Sequence, residues 1–92
     1  MQVELFTVTV FVSVKPDSDN NFKKEHVLHV ARKSDKRVDA FLDTYSFETL
    51  KCELYANISV KTSNMNSYRV SAIADLSNEQ YHDWIFCKFK YS

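Results

Sequence analysis

The sequence predicts an α+β domain: an antiparallel sheet of four to five strands with two helices packed on one face. Three observations lead there. Apolar and polar residues alternate from Leu50 to Lys61, a half-buried strand. Val38, Phe41, Leu42 and Tyr45 recur at helical spacing. Ser77 and Gln80 form a capping box at the head of a second helix.

In chain order, Phe6, Val8, Val10, Val12 and Val14 share one face of a first strand, with Thr7, Thr9, Phe11 and Ser13 on the other. Val3 and Leu5 carry the opposite phase, so the register flips near Leu5–Phe6, as at a bulge or where a second face is covered. Lys15, Pro16 and the Asp and Asn residues up to Asn21 have turn chemistry. Phe22–Ala31 reads as a second, weaker strand, hairpinned to the first. Ser34 or Asp35 caps the first helix, which carries an acidic row at Asp35, Asp39 and Asp43. In the third strand Leu50, Cys52, Leu54, Ala56, Ile58 and Val60 make the dry face. After a loop at 62–67, Tyr68, Val70, Ala72, Ala74 and Leu76 form the inner face of a fourth strand. Tyr81, Trp84 and Ile85 of the second helix face the sheet. Cys87, Phe89 and Tyr91 then alternate with Phe86, Lys88 and Lys90, which leaves 85–92 between helix and a fifth strand. The order is β-β-α-β-β-α, with or without that closing β, in one domain over residues 1–92.

Composition excludes several activities. The chain has no glycine, where about 7% is usual. Phosphate loops, dinucleotide fingerprints and nucleophile elbows need glycine for close backbone approach or positive φ. Ser, Cys, His and Asp form no recognisable catalytic constellation, and so small a chain leaves little room for a deep pocket. His26 and His29 would point to opposite faces of a strand, and Cys52 and Cys87 lack partners at metal-ligand spacing. The expectation is a protein that is not an enzyme, with no cofactor and no metal. Without a basic leader or a long apolar run, it is expected in the cytoplasm and not in a membrane. The oligomeric state is not fixed by these patterns.

Twelve basic and twelve acidic residues cancel, so electrostatic function rests on uneven distribution. Lys23, Lys24, Arg32, Lys33, Lys36 and Arg37 stand against Glu25 and Asp35, a net +4 over fifteen residues. Four of these bases are expected at the start of the first helix, where the macrodipole favours acids. That arrangement would seat a phosphate or carboxylate. The second candidate is the wet face of the third strand, with Lys51, Glu53 and Tyr55 beside Arg69, residue types common at binding hot spots. It resembles sheets that stack single-stranded bases, although the glycines and paired aromatics of the ribonucleoprotein signature are absent.

The local basic cluster at Arg32–Arg37 in a neutral whole, together with the abundance of Lys, Asn, Ser, Phe and Tyr and the lack of a catalytic motif, is a general character. It resembles the small early proteins of bacteriophages and mobile elements that disable host machinery, anti-CRISPR proteins among them. No single motif carries the likeness, so no functional residue transfers. It implies a non-catalytic inhibitor in the host cytoplasm that docks on a host protein or protein–RNA defence complex, with an RNA contact among its options. The alternative is a small regulator that binds RNA or single-stranded nucleic acid.

Overall fold

The computed structural model describes residues 1–14 and 22–92; the loop expected at 15–21 lies outside them. The order is β1 (Gln2–Ser13), α1 (Lys24–Ser34), α2 (Lys36–Thr44), β2 (Glu53–Lys61), β3 (Met65–Asp75) and α3 (Asn78–Lys90). The fold is α+β, but with a three-stranded antiparallel sheet ordered β1-β3-β2 and three helices.

One assignment is corrected, and one that the sequence left open is resolved. Residues 22–31 are not a strand: most of them belong to α1, and β1 pairs with β3 instead. Val27 and Ala31, i and i+4, are fully buried on one helical face. Burial of that pair decides between the two periodicities, which the segment supports about equally. Residues 85–90 continue α3 and form no fifth strand. Here the capping box holds as expected: the Ser77 hydroxyl accepts from the Gln80 N–H at 3.2 Å, and the Gln80 side chain accepts from the Ser77 N–H at 2.9 Å.

The flip near Leu5 is a register shift between Glu4 and Phe6. Even-numbered β3 residues Tyr68, Val70, Ala72 and Ala74 face the helices and are buried. They share one core with Phe6 and Val10 of β1, Val27 and Ala31 of α1, Val38 and Phe41 of α2, and Trp84 of α3. Phe41 joins the last two helices, its ring 5.0 Å from Trp84 and 5.4 Å from Tyr45. Leu50 is fully buried although it lies in the turn before β2. The next residue, Lys51, has φ 52°, the left-handed conformation that a glycine would take more easily.

The sheet outruns its helices. Twelve residues of β1 extend about 40 Å, whereas helices of nine to thirteen residues span about 14–20 Å. The molecule is accordingly elongated, 46 × 23 × 19 Å. The expected dry face of β2 is therefore dry only at Leu54. Ala56 and Ile58 lie beyond the helices and are exposed. A second register shift, between Ile58 and Val60, moves Val60 to the opposite face, level with Ser67. A one-residue shift reverses every side chain that follows it.

Candidate functional site

The six bases of the first candidate do not form one patch at a helix N-terminus. Lys23 is the N-cap of α1 and Lys24 its first residue. Arg32 and Lys33 fall in the last turn of α1, where the macrodipole favours cations. Lys36 and Arg37 open α2. Some eight residues of helix, about 12 Å, separate the first pair from the second.

Among the described residues, three of the six bases are paired within the chain. The Arg32 Nε donates to Asp39 at 2.6 Å, and the same guanidinium donates to Asp43. Arg37 binds Asp35 through Nε at 2.9 Å and Nη2 at 2.7 Å, while its backbone N–H donates to the same carboxylate. Lys24 donates to Glu48 at 2.8 Å and lies 5.5 Å from the Phe47 ring centre. These hydrogen bonds hold Asp35 and Glu48 below their ordinary range and raise Lys24 and Arg32 above theirs. Among the described residues, Lys23, Lys33 and Lys36 make no ion pair. The acidic row thus closes on the basic segment, and α1 and α2 leave between them an open groove of about 570 Å³, lined by Glu25, His29, Arg32 and Asp39 among others.

Because 26–29 is helical, His26 and His29 lie three residues apart on one side of α1, both exposed. No group of three or more metal-binding side chains occurs among the described residues. Burial, with a smaller contribution from Glu48, pushes the Cys52 thiol up to about 12. Burial likewise raises Cys87, helped by Asp83. Neither is a ready thiolate at neutral pH.

The second candidate does assemble. Glu53 and Tyr55 of β2 and Arg69 of β3 share the odd-numbered face of the sheet, opposite the helices. Tyr55 pairs with Ser71, and Arg69 is its diagonal neighbour. The Tyr55 hydroxyl donates to Glu53 at 2.8 Å, which raises the phenol's pKa. Lys51, Glu53 and Tyr55 line a depression of about 260 Å³ with Ile73. Among the described residues the face is not basic: Glu4 and Glu53 balance Arg69, with no row of cations to follow a polyanion.

Further along the same face, Phe11, Val60 and Met65 surround Ser67 around a depression of about 260 Å³. Phe11 is 61%, Val60 55% and Met65 42% exposed, with Ile58 53% exposed on the reverse face. The far end of β2 therefore exposes apolar side chains on both sides. This strand is an edge strand with Leu54 as its one partly covered residue. Sequence reasoning missed this region. Phe11 among Thr7, Thr9 and Ser13 was its visible signal, a large ring on a polar face. Val60 gave none, because its face depends on the bulge.

No family, no curated protein and no solved structure matches this chain in the comparisons made with them. Among the described residues, no helix is long and apolar enough to cross a membrane.

Proposed function

We propose that this chain is a non-catalytic binding protein that receives an extended segment of a host protein along β2 and thereby blocks that protein or the protein–RNA complex it serves in. One observation carries the reading: β2 is a nine-residue edge strand, exposed over almost its whole length, with apolar side chains on both faces.

Such an edge presents a row of backbone donors and acceptors to an added strand. Side chains of an added strand alternate between the two faces. They would cover Ile58 on one side and Val60 on the other, and Tyr55 and Arg69 extend the contact on the odd-numbered face. Natural proteins commonly protect long edges with charge or proline. Here the run Tyr55–Ser59 contains neither, and the bulge and the flanking Lys51 and Lys61 confine the open stretch to its middle. The mixed charge of the face favours a protein segment over a nucleic-acid strand. The wider assignment to host-directed inhibitors rests on the general character of the sequence, and the strand edge supplies a mechanism for it.

The test is affinity capture from host lysate, with and without ribonuclease, using three tagged forms. These are the wild type, Ile58→Asp with Val60→Asp, and Lys23, Lys33 and Lys36 each changed to Glu. Circular dichroism verifies that each variant is folded. Loss of a specific protein in the β2 variant alone supports the reading. Loss in the lysine variant alone moves the site to α1 and α2 and overturns it. Capture of RNA that survives the β2 changes and weakens steeply with salt replaces it with the nucleic-acid alternative.

A further inference from the structure

Helix α3 carries a second apolar surface, remote in character from the strand edge. Ile85, Phe86 and Phe89 stand at i, i+1 and i+4 and are 42%, 64% and 85% exposed. His82, also exposed, extends the stripe by one turn towards the N-terminus. The opposite side of the same helix buries Trp84. Helix α3 is thus apolar on two sides, and only one is used within the chain. Ile85, expected to face the sheet, belongs to the unused side.

Charge along α3 indicates what covers that side. Its first half carries Glu79 and Asp83, its last turn Lys88 and Lys90. Glu79, Asp83 and Lys90 share one flank of the stripe, since spacings of four, seven and eleven residues return to the same side of a helix. Among the described residues, neither Glu79 nor Lys90 has an ion-pair partner within the chain. A helix acidic at its head and basic at its tail complements itself when reversed.

We propose that two copies of this chain pair through α3, antiparallel, about a twofold axis between Ile85 and Phe86. In that arrangement Phe86 faces the second copy's Ile85 and Phe89 faces its His82. Lys90 comes level with position 81 of the second helix, between Glu79 and Asp83. The contact is isologous, so each pair occurs twice. The helix dipoles also oppose favourably. A parallel pairing would instead bring both lysine-bearing ends together. The groove of about 410 Å³ between α2 and α3, lined by Asp43, Asp83, Phe86 and Lys90, continues the surface towards α2.

Sedimentation equilibrium of the whole chain from about 5 to 200 µM tests this, with circular dichroism on every variant. The wild type is expected to dimerise, and Phe86→Glu with Phe89→Glu to be monomeric and folded. Lys90→Glu should weaken dimerisation by roughly tenfold, through two symmetry-related surface pairs. Adding Glu79→Lys to the same chain should restore part of it, since Asp83 still repels the carboxylate introduced at position 90. The variant Ile58→Asp with Val60→Asp should dimerise like the wild type, which separates this surface from the strand edge. A wild type that is monomeric throughout overturns the proposal, as does a dimer that survives both phenylalanine changes. Failure of Glu79→Lys to restore any of what Lys90→Glu loses overturns the antiparallel register. A monomer that loses its host protein when Phe86 and Phe89 are changed assigns the stripe to that partner instead.

Discussion

Asp35→Ala probes the joint that closes the basic segment on itself. Asp35 ends one helix and begins the next: its N–H donates to the Ala31 carbonyl at 3.1 Å, while its carboxylate accepts from the Arg37 N–H at 2.9 Å. Removing an N-cap carboxylate costs about 1 kcal/mol. The ion pair with Arg37 is partly exposed, the Arg37 side chain at 39%, so screening leaves it about 0.5 kcal/mol. Together these give about 1.5 kcal/mol, a fall in Tm of roughly 6–12 °C for a domain of this size. Asp35→Asn keeps an oxygen for the cap and loses only the charge, a cost of about 0.5 kcal/mol. The pH dependence has a definite sign. Arg37 holds the Asp35 carboxyl below its ordinary value of 3.8. The charge-linked stability is therefore fully present above 3.8 and is lost as pH falls through the lowered folded value. Thermal melts followed by circular dichroism at neutral pH and stepwise into acid measure both effects. The gap between wild type and Asp35→Asn should close as the carboxyl protonates. A melt of Asp35→Ala that matches the wild type at neutral pH, or a gap indifferent to pH, would refute the reasoning.

Two further outcomes follow from burial and backbone geometry. Leu50→Ala should cost about 3 kcal/mol, because a fully buried side chain leaves a cavity. Ile58→Ala should cost no more than about 0.5 kcal/mol, because Ile58 already faces solvent. Urea unfolding of both variants measures the difference, and the opposite ranking would show that the core does not end where the helices end. Lys51→Gly should stabilise by about 0.5–1 kcal/mol, since it relieves the positive φ at 52° against the greater chain entropy of glycine. A Tm unchanged or lowered in that variant would show that the left-handed turn carries no strain.

The two candidate surfaces were legible to different degrees. Glu53 and Tyr55 could be placed on one face from strand alternation, because residues two apart share a face, and Arg69 joins them through the pairing of consecutive strands β2 and β3. The basic segment could be seen as charge but not as a surface. Whether Arg32 meets Asp39 and Asp43 depends on two helices meeting at Asp35, and a segment read as a strand cannot place it there. The stripe on α3 was hidden for a related reason. Residues 86–91 alternate like a strand, and the apolar side of the helix is distinguished only once Trp84 is seen to take the core.

The sequence by itself determined the α+β class, the change of phase near Leu5–Phe6, the buried face of β3, a helix cap at Ser34 or Asp35 and the Ser77 capping box. Each depends on residues close along the chain, where backbone geometry sets the spacing. The tertiary structure decided that residues 22–31 are helical, that the sheet has three strands, and that Ile58, Val60, Phe86 and Phe89 are left exposed. Those outcomes depend on which apolar faces meet. A strand rises about twice as far per residue as a helix, so three short helices leave most of the outer strand β2 uncovered. No local pattern in the chain records that mismatch.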